Sequence, residues 1–125
     1  MSCFAIRLAG IAALIAFGSH ANASNFAKCI LDKMPGSANQ AMHAAIFQTC
    51  TRDHPNQYRS IEKGEGRGLF GFSDGNACTI KKAAGTTFQP SAYVIARACK
   101  CLYDEPNPFD KPNPAAPGPV MCAYE

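Results

Sequence analysis

Past position 24 the hydrophobic positions recur three and four residues apart, in two separate blocks, which is the spacing of amphipathic helices. In the first block Asn25 to Met34 predicts a short helix, capped by Ser24 and stopped by Pro35-Gly36. Ser37, followed three residues later by Gln40, has the form of a capping box and predicts the start of a second helix. Along that helix Met42, Ile46 and Cys50 recur at spacing four with Ala45 and Thr49 beside them, and His54-Pro55 ends it. In the second block Ser73 or Asp74 caps a short helix through Cys78, Ile80 and Ala84 that ends at Gly85. Thr86 and Gln89 imitate the capping box, although Pro90 can shift the start and leave Gln89 as the cap. Ala92, Ile95, Cys99 and Leu102 then share one face. The expected fold is all-α.

The two ends read differently. Arg7, the apolar run from Leu8 to Phe17 and the closing Ala21-Asn22-Ala23 predict a secretory leader over residues 1–23. An apolar run of that length falls short of the roughly twenty residues of a membrane span. The tail from 105 to 125 carries six of the nine prolines, so it predicts an extended, polyproline-like strap. Residues 24–125 are then one small domain: a first hairpin over 24–55, a glycine-rich linker over 56–75, a second hairpin over 76–104, and the strap.

Composition narrows the class. Without Arg7 the chain has eleven basic against nine acidic residues, and no basic cluster exceeds Lys81-Lys82, so neither nucleic acid nor an anionic membrane surface is expected as a partner. Without Cys3 six cysteines remain, an even number that reads as a disulfide framework in an oxidising compartment. Six cysteines allow fifteen full pairings, but spacing favours one. Displaced by forty-nine positions, Cys29, Lys33, Gly36, Gln40, Ile46 and Cys50 fall on Cys78, Lys82, Gly85, Gln89, Ile95 and Cys99, with Ser37 on Thr86. This correspondence predicts a tandem repeat of one disulfide-clasped helical hairpin, with bonds Cys29–Cys50 and Cys78–Cys99. Cys101 is left for Cys122, which would fasten the strap; two positions from Cys99 it points to nearly the opposite side of the helix.

The segments "CILDKMPGSANQAMHAAIFQTC", with His54-Pro55 beyond it, and "CTIKKAAGTTFQPSAYVIARAC", with Leu102-Tyr103 beyond it, resemble a family of small exported cysteine-containing bacterial proteins of unassigned function. The resemblance covers about half the chain, from Phe26 to Pro55 and Asn76 to Tyr103, and it implies no activity and no site residues. Cys101 and the proline-rich strap lie outside its usual pattern.

Candidate chemistry is sparse. The run "EKGEGRGLFGF" lacks a preceding strand and a Walker lysine, so a flexible connector is expected rather than a phosphate cradle. Within it Arg67, Leu69, Phe70 and Phe72 form the candidate partner-contact surface. No Cys-x-x-Cys occurs, Cys99-Lys100-Cys101 is too tight for a zinc knuckle, and His43 and His54 lie eleven positions apart, His43 as a solvated surface side chain. No Gly-x-Ser-x-Gly elbow appears, and the aspartates fall at helix ends where carboxylates cap. No catalytic, cofactor-binding or metal residues are therefore expected. The expectation is a periplasmic or secreted interaction module whose partner is another envelope or secreted protein. The alternative is a binder of small apolar ligands, using a cavity lined by Met42, Ile46, Val94 and Ile95.

Overall fold

A computed structural model of the protein describes residues 24–107 and 118–122. The predicted leader lies outside the described residues, as does most of the predicted strap. Among the described residues there are four helices, α1 (Phe26–Lys33), α2 (Gln40–Asp53), α3 (Gly75–Lys82) and α4 (Gln89–Tyr103), with a 3₁₀ turn at Gln57–Ser60. No strand forms among them, and the one β-type contact is an antiparallel bridge between Glu62 and Met121.

Each short helix starts where a side-chain oxygen can reach the free amides of the first turn. Asn25 caps α1 by accepting from Lys28 N at 2.9 Å, one residue later than the expected Ser24. Asp74, not Ser73, caps α3 by accepting from Ala77 N at 2.8 Å, and Asp104 Oδ1 accepts from Gly75 N at 2.8 Å. Gly36 and Gly85 turn the chain out of α1 and α3 in the left-handed region, at φ +79° and +76°.

The long helices depart from the expected capping boxes. Asn39 caps α2 through Met42 N at 3.0 Å, and α4 begins at Gln89 behind Phe88, with Pro90 in its first turn, where its missing N–H costs nothing. Ser37 and Thr86, the expected caps, are taken by contacts between the two turns. Gly36 N donates to Thr86 Oγ1 at 2.9 Å, Phe88 N donates to Ser37 O at 3.4 Å, and the buried Ser91 hydroxyl donates to Ser37 Oγ at 3.0 Å. His43 Nδ1 shares a 2.9 Å hydrogen bond with Ser91 Oγ, and its ring stacks on Phe47, so it is not the solvated side chain expected.

The interior is built on α1 and α4. Phe26, Ala27, Ile30, Leu31 and Met34 from α1 and its cap meet Ile95, Ala98 and Leu102 of α4, closed by Ile61 and by Tyr58, which meets Phe26 edge-to-face at 5.0 Å. α2 packs mainly on α1, and α3 packs on α4. The predicted stripe of α2 is only partly used: Cys50 is buried and Ile46 rests against the core, while Met42 is 44% exposed.

Three disulfides run through this core, Cys29–Cys50, Cys78–Cys99 and Cys101–Cys122, each closing a separation of twenty-one positions. Their Cα atoms lie 5.8, 5.5 and 5.4 Å apart. Cys99 and Cys101 are both buried because α4 is covered on two sides, by α3 and by the returning chain at 118–122. They sit in separate bonds, which leaves no Cys-x-Cys redox pair. On loop-closure entropy each bond contributes about 3 kcal/mol. Three such bonds fit an oxidising compartment, and no helix among the described residues is long and apolar enough to cross a membrane.

Candidate functional site

The glycine-rich stretch is fastened to the core rather than loose. Ile61 is fully buried, and Lys63 N donates to Val120 O at 2.8 Å while Cys122 N donates to Ile61 O at 3.0 Å. Gly64 N and Gly66 N then donate to Cys101 O and Leu102 O, both at 2.8 Å, capping the carbonyls left free at the end of α4. The approach at Gly66 is so close that a Cβ there would lie 2.9 Å from Leu102 Cβ and 3.0 Å from its carbonyl oxygen. A flexible connector was the expectation; carbonyls at the C-terminal end of a helix and a backbone with little side-chain bulk make a docked loop instead.

From this anchorage the chain carries the four candidate contact residues, and the fold divides them. Arg67 Nη2 pairs with Glu105 Oε1 at 2.8 Å, and Nη1 donates to Tyr103 O at 3.4 Å. Phe72 is half-buried and meets the Tyr103 ring edge-to-face at 5.1 Å, an arrangement worth about 1 kcal/mol beyond its area. Burial pushes the Tyr103 hydroxyl above its ordinary pKa. Between these two anchors Leu69 and Phe70 are 98% and 103% exposed. Arg67 and Phe72 therefore hold the loop, and Leu69 and Phe70 form its apolar tip. Glu105, which fixes Arg67 from thirty-eight positions away, carried no signal in the sequence.

The alternative apolar cavity is not formed by the residues expected to line it. Ile95 is fully buried, Ile46 and Val94 pack against the core, and Met42 faces solvent. The three principal surface concavities described take none of these four residues. The largest of them, about 520 Å³, is lined by α1, the end of α2, Lys82 of α3 and Leu102 and Tyr103 of α4, and takes in Lys28, Lys33, Asp32, Asp53 and His54. The others, of about 350 and 370 Å³, share Arg97. Sequence reasoning singled out neither Tyr58 nor Arg97, whose contact at 4.6 Å arises from packing alone.

Comparison with known protein families, with curated proteins and with solved structures finds no match.

Proposed function

We propose that this protein is an exported, disulfide-stabilised interaction module that binds another envelope or secreted protein through the Leu69-Phe70 tip. The observation that carries the reading is the exposure of two large adjacent apolar side chains on a loop fastened at both ends. Apolar side chains left in water on an anchored loop fit an interface, and a loop ordered beforehand has less freedom to lose on association. In this reading residues 24–55 and 76–104 are two copies of one unit. Supporting it, α1 and α3 start and end forty-nine positions apart, as do Asn25 and Asp74 at their caps and the left-handed Gly36 and Gly85. The tail acts as a strap, as the buried Val120, the Glu62–Met121 bridge and the Cys101–Cys122 bond suggest. The family resemblance and the three disulfides favour a periplasmic or extracellular bacterial setting.

Crosslinking and affinity capture of the oxidised protein from envelope extract tests this against the Leu69→Ser/Phe70→Ser variant. The variant is expected to keep its thermal midpoint and lose a stoichiometric partner. A partner retained by that variant would eliminate the tip as the interface.

A further inference from the structure

The three disulfides are not equally sheltered. Cys50, Cys78 and Cys99 are fully buried and Cys101 and Cys122 are 1% exposed, while Cys29 is 6% exposed. Cys29 is also the one half-cystine that lines any of the three concavities, the largest, of about 520 Å³. Lys28, Lys33 and Lys82 line the same concavity with Asp32 and Asp53, which leaves its wall slightly positive. Access and positive surroundings both favour the approach of a thiolate to one sulfur over another. The same bond fastens a helix that has little else buried. Cys50 is the one buried residue of α2. That helix otherwise rests on the half-buried Ile46 and Phe47, on the edge-to-face contact of Phe47 with Phe26 at 5.6 Å, and on the His43–Ser91 hydrogen bond. The flanking helix of the other hairpin, α3, is seated more closely on its neighbour. Asp104 Oδ1 accepts from Gly75 N, and a Cβ at Gly75 would come within 2.7 Å of Lys100 Cα.

We propose that Cys29–Cys50 is a thiol–disulfide exchange site for small dithiols, and that opening it releases α2 from a core that stays folded. A thiolate of the dithiol bonds to Cys29 Sγ as the Cys29–Cys50 bond breaks, and the electron pair of that bond leaves on Cys50 Sγ, which takes a proton from water. The second thiol of the same molecule, as thiolate, then displaces Cys29 Sγ. The dithiol ends as a cyclic disulfide, oxidised by two electrons, and Cys29 and Cys50 end as thiols. The interior shared by α1 and α4 and the bonds Cys78–Cys99 and Cys101–Cys122 remain in place. The site is separate from the Leu69-Phe70 tip and does not rest on it.

The test is graded reduction of the native, oxidised protein with dithiothreitol, quenched with iodoacetamide and read by peptide mass spectrometry. Cys29 and Cys50 are expected to be alkylated at least about tenfold faster than the other four cysteines. Amide hydrogen exchange of the Cys29→Ser/Cys50→Ser variant reads the consequence without a bulky adduct. Amides of α2 should exchange at least about tenfold faster than in the oxidised protein, while those of α4 keep their protection. A bond that merely stabilises the whole fold would change both helices together. The proposal is overturned if Cys78–Cys99 or Cys101–Cys122 opens first or all three open together, if α2 keeps its protection in the variant, or if α4 loses protection along with it.

Discussion

The two hairpins have the same turns and the same disulfide spacing, yet they bury opposite members. In the first the short helix α1 lies in the interior and the long α2 flanks it; in the second the long α4 is interior and the short α3 flanks it. Positions forty-nine apart in the chain show why. Phe26, Ala27, Ile30, Leu31 and Met34 of the first hairpin stand where the second has Gly75, Asn76, Thr79, Ile80 and Ala83. In the long helices the balance reverses: Thr49, Arg52 and Asp53 correspond to Ala98, Cys101 and Leu102. A clasp and a turn fix how two helices are joined, while the distribution of apolar area fixes which one leaves water.

That contrast can be broken most strongly at the disulfides. Replacing Cys78 and Cys99 with alanine should cost about 3 kcal/mol in loop entropy, with lost packing of buried sulfur in addition. Removing Cys29 and Cys50 releases a loop of the same length, so any difference between the variants in denaturant unfolding measures packing around each bond. Equal losses would show that burial around the two bonds is equivalent. Leu31 and Ile80 correspond by position but are 5% and 78% exposed. Leu31→Ala should cost about 2 kcal/mol or more, and Ile80→Ala should stay within about 0.5 kcal/mol. Comparable losses would mean that α3 is buried as deeply as α1.

The seam between the turns offers a smaller effect. Ser91→Ala removes the hydroxyl that joins His43 to Ser37, and calorimetry should register a loss of about 1–2 kcal/mol. The corresponding Met42 is exposed on α2, and Met42→Ala should be nearly silent. The effects of pH appear only at its extremes. The Tyr58 hydroxyl titrates at about 12 in the folded protein against an ordinary 10, so folding favours its protonated form. The resulting stability is complete below pH 10 and is lost as pH rises toward 12. Phenolate absorbance should show Tyr58 ionising last or together with unfolding. Asp74 has the opposite sign: its carboxylate, accepting from Ala77 N, titrates below its ordinary range. Its contribution is present above the ordinary aspartate pKa and is lost as pH falls through the lowered value, an effect that Asp74→Asn should remove from the acid side of the stability profile.

Much of the scaffold was legible in the sequence because it depends on neighbours in the chain. Helix positions follow from periodicity and from the glycine and proline stops, which act over a few turns of backbone, and cysteine spacing favoured the three bonds that form. The caps were legible only in part. Asn25 and Asn39 reach first-turn amides, whereas Ser37 and Thr86, with the better motif, join the two turns to each other. The division of the four candidate contact residues into anchors and tip was not legible, since it required Glu105 and Tyr103.

The sequence by itself determined the helices and most of the turns and favoured one covalent pairing without fixing it, because local sterics and hydrogen bonds within one or two turns suffice for the first two. The tertiary structure alone decided which helix of each hairpin is buried, that the glycine-rich stretch docks on the end of α4, and that Arg97 lies over the Tyr58 ring. Those outcomes depend on the competition among all apolar surfaces for one small interior, and no single segment carries that information.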